Sequence, residues 1–390
     1  VSAEADNSAA GPGATAEAAV EEPRASSPPP RPIRAAWLAA ADTFDEYGRT
    51  LQPLAVGLMD EVVDVVILCP GSAAVGQLPG VPREVVSYEP PKWWRPGAWR
   101  SEALAAELRR RKVDVLHGLD FPVAHLTARL AGEAGLKFIL SGYGLDDARR
   151  LWPLGGDVAG VLAASEPIRD VLAKRRVCRP EQIHLVRPGV YHVRHPTCFS
   201  DPGCSASIVA GGRLDDAAAF EAVLRCFAEL AARKADCAYF ILGSGPAERR
   251  LRRRAAQLGL AGRVTFVDLH PVGQLTGVLK SADVYVSPAP QRRIDARSLL
   301  AIAAGVPVLA AAGDGANDFL HDGQTALLFS RGDSAELTVK LGSLLDDRAA
   351  ARALAAGALR YIHEHHSPTA AVLRVAELYR QAAEARRGAG

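Results

Sequence analysis

Apolar positions follow two rhythms along the chain. Short runs that are apolar at nearly every position alternate with longer stretches carrying an apolar residue every three or four positions. The first pattern reads as strands covered on both faces, the second as amphipathic helices. In the first half it predicts strands at 34–39, 62–69 (VVDVVILC), 85–88, 113–117, 137–141, 158–163 and 182–186, with helices at 47–59, 102–112 and 166–174. Pro53 predicts a late or kinked start for the first of these helices. The second half repeats the scheme. Strands are predicted at 207–210, 238–242, 264–267, 284–286, just after Pro307, and at 326–329, with helices at 217–233, 247–258, 275–280, 298–304, 335–345, 349–364 and 373–383.

Alternating strands and helices with short links predict parallel sheets and right-handed crossovers. Between 188 and 205 the rhythm lapses into PGVYHVRHPTCFSDPGC, which has three prolines and reads as a linker. The expected organisation is a tail over 1–31, a Rossmann-like domain over 32–190, a linker over 191–206 and a second such domain over 207–365. A helix over 366–390 would then cross back to the first domain, at the break His366-Ser367-Pro368. The fold class is α/β, two doubly wound domains facing a central cleft, and that cleft is the default site.

Composition narrows the picture a little. The chain is 48% hydrophobic and 23% charged, ordinary for a soluble globular protein, and its net charge of +2 argues against nucleic-acid binding driven by overall charge. Residues 1–31 are rich in Ala, Ser, Gly and Pro and mostly acidic where charged, with no basic segment leading into an apolar one. They read as disordered and not as a secretory signal. No apolar run is long enough to span a bilayer. Six cysteines without a CxxC pair, and His184, His192 and His195 at irregular spacing, give no metal pattern and fit free thiols in a cytoplasmic setting.

Candidate chemistry gathers where strands end. Gly211-Gly212-Arg213 and Gly243-Ser244-Gly245-Pro246 each follow a strand and precede a helix; glycines let backbone approach a phosphate, and arginine offers it a two-pronged donor. The stretch 281–309 ends a strand at Pro288 and opens into a loop carrying Arg292, Arg293 and Asp295 before the next helix. Asp295 is the carboxylate of that loop, and set against the family resemblance given below it is a candidate for sugar hydroxyls in place of a glutamate. His117 and Asp120 lie at a strand end, with His125 in the same group, and each reads equally as a cleft residue or a core one. Trp93, Trp94 and Trp99 sit in a basic loop and admit membrane contact, simple packing or, on the resemblance given below, acceptor contact. The arginine-rich helix with Arg249, Arg250, Arg252, Arg253 and Arg254 reads as a solvated face, or as one for an anionic lipid surface at the inner face of a membrane.

The second half then resembles the donor-binding domain of the GT-B glycosyltransferases, most closely the retaining family 4 group. The matching pieces are AGGRL (210–214), ILGSGPAERRLRRRAAQLGLAGRVTFV (241–267), LKSADVYVSP (279–288), LLAIAAGVPVLA (299–310) and HDGQTALLF (321–329). VDVLHG (113–118), VLAASEPIRDVL (161–172) and IHLVRPGVY (183–191) extend the resemblance into the first half. It implies transfer of a sugar from a nucleotide-diphosphate donor to a glycan, lipid or small-molecule acceptor in cell-envelope or polysaccharide biosynthesis, with no metal or other cofactor. The family's donor arginine falls on Arg213, its lysine on Ala218 and its two glutamates on Arg292 and Leu300. Its serine after the strand-end proline falls on Ala289, and its first-lobe histidine on Tyr143. The paired glycines after the first strand are absent from ADTFDEYG, where Gly48 alone remains. With these groups changed, the alternative is a catalytically impaired GT-B pseudoenzyme that binds a partner through the same cleft. A more distant GT-B activity, epimerase or phosphorylase, is the third reading.

Overall fold

The computed structural model describes residues 31–71, 84–89, 101–201, 204–233, 236–268, 275–289, 292–313 and 315–388. The chain enters through β1 (Ile33–Leu38), α1 (Thr43–Asp60), β2 (Val63–Pro70), β3 (Glu84–Tyr88), α2 (Glu102–Arg110) and β4 (Val115–Gly118). It continues through α3 (Ala124–Ala134), β5 (Lys137–Gly142), α4 (Leu145–Arg150), β6 (Val158–Ala163), α5 (Glu166–Arg175) and β7 (Ile183–Leu185). The second half runs β8 (Ala206–Gly211), α6 (Ala217–Arg233), β9 (Cys237–Leu242), α7 (Glu248–Gln257), β10 (Val264–Val267), α8 (Leu275–Lys280) and β11 (Val284–Ser287). It closes with α9 (Ala296–Ala303), β12 (Val308–Ala311), β13 (Leu327–Phe329), α10 (Ser334–Asp346), α11 (Arg348–His365) and α12 (Pro368–Arg387).

The first seven strands form one sheet in the order β3-β2-β1-β4-β5-β6-β7, and the remaining six form a second in the order β10-β9-β8-β11-β12-β13. Every pairing among these strands is parallel. Such sheets need apolar residues on both faces, as in β2, where Val66 to Cys69 are all buried. The strand order reverses between β1 and β4 in the first sheet and between β8 and β11 in the second, so each sheet opens a crevice at its strands' carboxyl ends there.

Two helices escaped the reading of the sequence. α3 starts directly after the Phe121–Val123 turn and buries Leu130 and Ala131; α4 is only six residues long. The late start that Pro53 suggested is corrected: α1 runs from Thr43 to Asp60, with Pro53 inside it and buried. An interior proline costs roughly 3 kcal/mol in an isolated helix. Burial of Phe44, Tyr47, Leu51, Ala55 and Leu58 along one face outweighs that cost. Among the described residues, no helix is long and apolar enough to cross a membrane.

α12 starts with Pro368 in its first turn behind the Ser367 cap and packs on α1 and on β1, β4, β5 and β6. A buried chain of hydrogen bonds fixes it there. Trp37 Nε1 donates to the Tyr379 hydroxyl at 2.8 Å, that hydroxyl lies 2.6 Å from His117 Nδ1, and His117 Nε2 lies 2.8 Å from the Ser141 hydroxyl. Indole only donates, so the tyrosine proton goes to Nδ1, and a neutral His117 carries its own proton on Nε2. His117 has no exposed surface, and burial pushes its pKa down to about 3. Of the two readings left open for His117, the structure shows the core one, which ties α12 to β4.

Candidate active site

The crevice of the second sheet opens where β8 ends at Gly211 and β11 ends at Ser287, the strand ends around which 281–309 was expected to build a site. A cavity of about 550 Å³ lies there, against Gly211, Gly212, Arg213, Ala289 and Arg292. A second cavity of about 250 Å³ adjoins it, bordered by Gly243, Ser244, Gly245 and Leu300. Glu46, Arg213, Asp215 and Arg297 line both, and Glu46 comes from α1, so the first lobe supplies part of the wall. The two glycine turns meet through their backbones. Gly243 sits at φ +142°, and a Cβ there would lie 2.0 Å from the Gly212 carbonyl oxygen, so no other residue fits. Gly305, at φ +82°, likewise presses against the linker, where a Cβ would come within 2.8 Å of Thr197 N.

The structure brings Arg213, Gly211, Gly212, Gly243 and Gly245 to these two cavities. Arg213 Nε holds the Asp215 carboxylate at 2.7 Å, and that bond raises its pKa further. Both side chains are about half exposed, so the pair is worth little stability and can exchange for a ligand. Leu300, on α9, borders the second cavity at the position of a family glutamate.

Arg292, Arg293 and Asp295 are used differently from the expectation. Arg292 lines the larger cavity but pairs with Asp146 of the first lobe at 2.8 Å. Arg293 points into the first lobe, where it meets Asp120, Asp147 at 3.1 Å, the Tyr47 hydroxyl at 3.2 Å and Glu46 at 3.8 Å. Backbone completes this seam: Leu145 N donates to Arg292 O at 2.9 Å and Ile294 N to Tyr143 O at 2.8 Å, with an antiparallel bridge between Gly144 and Arg293. The phosphate role expected for Arg293 is thus corrected to a tie between lobes, because carboxylates already occupy its donors. Asp295 also borders the larger cavity, but it serves the fold there. Its carboxylate caps α9, accepting from Ser298 N at 3.1 Å, from the Ser298 hydroxyl at 2.6 Å and from the Ser287 hydroxyl at 2.7 Å.

Asp120 is fully buried, caps the turn after β4 through Phe121 N at 2.8 Å and pairs with Arg293. Burial raises its pKa to about 7 against the pull of that guanidinium. Tyr143 is buried and stacks on Tyr47 with ring centroids 4.1 Å apart; burial raises its hydroxyl pKa well above the usual value. Neither side chain borders the two cavities. His125 stacks on Trp152 at 3.3 Å. The linker histidines do not gather: His184 meets Arg374 at 2.9 Å, and His192 meets His363 at 3.3 Å. Among the described residues, no group of three or more His, Cys, Asp or Glu side chains is placed to hold a metal. Trp93, Trp94 and Trp99 lie outside the described residues.

Site residues that the sequence reading missed include Asp215, Arg331, Arg297 and Glu46. Arg297 stands in the first turn of α9, and Glu46 in the first turn of α1. The spacing of Arg297 behind the Asp295 cap carried a readable signal, since a cation in a helix's first turn opposes the dipole. Glu46 gave no such signal, because its neighbours across the cleft are far away in sequence.

Two parallel-sheet Rossmann-like domains with facing strand ends define the GT-B class of fold. Solved GT-B structures agree. Anabaena HepE in complex with UDP and glucose superposes with a TM-score of 0.71 at 16% identity, covering 88% of this chain and 98% of that one. Sucrose-phosphate synthase from Thermosynechococcus elongatus gives a TM-score of 0.68 at 18% identity, covering 90% and 98%. Residues 48–194 match the family described as Glycosyltransferase Family 4, and residues 205–347 match Glycosyl transferases group 1. The chain belongs to the group 1 glycosyltransferases of GT-B fold. The D-inositol 3-phosphate glycosyltransferase of Nocardia farcinica is 34% identical over 144 residues, 35% of this chain and 32% of that protein. The GDP-mannose-dependent alpha-(1-6)-phosphatidylinositol monomannoside mannosyltransferase of Mycolicibacterium smegmatis is 35% identical over 142 residues, 34% and 37%. The chain thus spans about a third of the length of each of these curated relatives.

Proposed function

We propose that the chain transfers a sugar from a nucleotide-diphosphate sugar to an acceptor in cell-envelope or polysaccharide biosynthesis, with the donor in the two joined cavities. The observation that carries this reading is Arg213, an exposed guanidinium on the shared wall of both cavities, beside two glycine turns that admit phosphate to the backbone. Departure of the diphosphate leaves negative charge on its oxygens. A cation already in position stabilises that charge without reorganising, and it does so more strongly where water is excluded. The backbone bonds from Leu145 N to Arg292 O and from Ile294 N to Tyr143 O join the two lobes beside the site. Support from relatives points the same way, since the matched proteins are named as transferases and HepE was solved with UDP and glucose.

Titration calorimetry with uridine, guanosine and adenosine diphosphate sugars tests this reading. The expected result is saturable binding of at least one donor, in competition with the matching nucleoside diphosphate. No binding of any of them would overturn it and leave the cleft to a non-nucleotide partner.

A further inference from the structure

We propose that Arg297 is a second diphosphate-binding residue, supplying beside Arg213 the positive charge that Ala218 does not provide. The inference rests on the transferase reading above and deepens it. Four guanidinium groups line the larger cavity: Arg213, Arg292, Arg297 and Arg331. Three of them hold carboxylates, Arg213 with Asp215 at 2.7 Å, Arg292 with Asp146 at 2.8 Å and Arg331 with Asp216 at 2.6 Å. Among the described residues, Arg297 has no ion-pair partner, and of the four only it and Arg213 also line the second cavity.

Its place in the fold is adverse without a ligand. Arg297 is the second residue of α9, where the Asp295 cap offsets the dipole, and it is half-buried, so water only partly solvates it. Glu46 feels its charge but lies against Arg293. A guanidinium without an ion-pair partner and partly desolvated contributes little to stability. An anion between Arg297 and Arg213 removes both penalties. The helix end cannot bind that anion through its own N–H groups alone, because the Asp295 carboxylate accepts from Ser298 N and presents negative charge there. The binding charge must come from a side chain, and Arg297 is placed to provide it.

The test compares Arg297→Gln, Arg297→Lys and Arg331→Gln with the unaltered chain, titrating each with UDP, GDP and ADP, the matching monophosphates and inorganic pyrophosphate. The proposal expects R297Q to weaken the preferred nucleoside diphosphate roughly 10- to 100-fold while its monophosphate changes by less than about threefold. R297K should recover part of the loss, and R331Q should have the smaller effect. Thermal midpoints of the variants, taken without ligand, exclude a folding defect. An R297Q protein that keeps its full preference for diphosphate over monophosphate overturns this inference and leaves the transferase reading intact. An unaltered chain that binds no nucleoside diphosphate overturns both.

Discussion

Arg293, from the loop before α9, reaches across the cleft to the carboxylate of Asp120, which has no exposed surface. The residues stand 173 positions apart, and their pair joins the second lobe to the turn after β4. Removing the guanidinium strands a buried carboxylate. Arg293→Ala is expected to lose about 3 kcal/mol in urea denaturation. A double-mutant cycle with Asp120→Asn should give a coupling of about 2 kcal/mol. A coupling near zero would mean that the contact contributes no cohesion between the lobes.

Acid should weaken the fold through His117 and His366. Burial lowers their pKa values, from 6.5 to about 3 and about 4 respectively. The unfolded chain therefore binds protons that the folded chain refuses. Their contribution is complete above pH 6.5 and is lost as pH falls through 6.5 toward 4 and 3, by about 1.4 kcal/mol per pH unit for each histidine. Urea midpoints measured from pH 7 to pH 4.5 should fall, and the gap between the unaltered chain and His117→Asn should narrow over that range. A constant gap would contradict a buried neutral His117.

Asp215 competes with any phosphate for Arg213. The ion pair is half exposed, so Asp215→Asn should move stability by less than about 1 kcal/mol. It should tighten nucleoside diphosphate binding several-fold by removing the competing charge. Arg213→Ala should do the reverse, and Arg213→Ala with Arg297→Gln should abolish nucleotide protection in a thermal-shift assay. Full protection in the double variant would remove both arginines from the donor site.

Gly243→Ala places a methyl group against the Gly212 carbonyl at an unfavourable φ. Relief requires the two glycine turns to part, at a cost of about 2 kcal/mol. Diphosphate affinity should fall with stability, because the same turns shape both cavities. Unchanged affinity would show that the turns do not contact the ligand.

Much of the fold was legible because parallel strands covered on both faces leave mostly apolar runs, with few polar positions such as Asp64 in β2. α4, LDDARR, offers only Leu145 and Ala148 as apolar positions, fewer than the equally short α8, LTGVLK, while α3 was hidden by its small residues. The site was less legible for a different reason. Arg292 and Arg293 looked like phosphate ligands because strand-end arginines commonly are, and their carboxylate partners lie 146 and 173 residues earlier. His117 similarly owes its burial to Tyr379, 262 residues later. Only local signals can be read along a chain, and Asp295 gave one: an aspartate just before a helix followed by Ser298 is a cap before it is a sugar ligand. The stretch 281–309 thus keeps its place at the cleft while most of its polar contents serve the seam and the cap, leaving Arg297 for the ligand.

The most direct test of the account is nucleoside diphosphate release from a panel of nucleotide sugars incubated with the purified chain and no added acceptor. The account predicts slow release from at least one donor, reduced at least tenfold in Arg213→Ala. Absence of release from every donor, together with absence of donor binding, would contradict it.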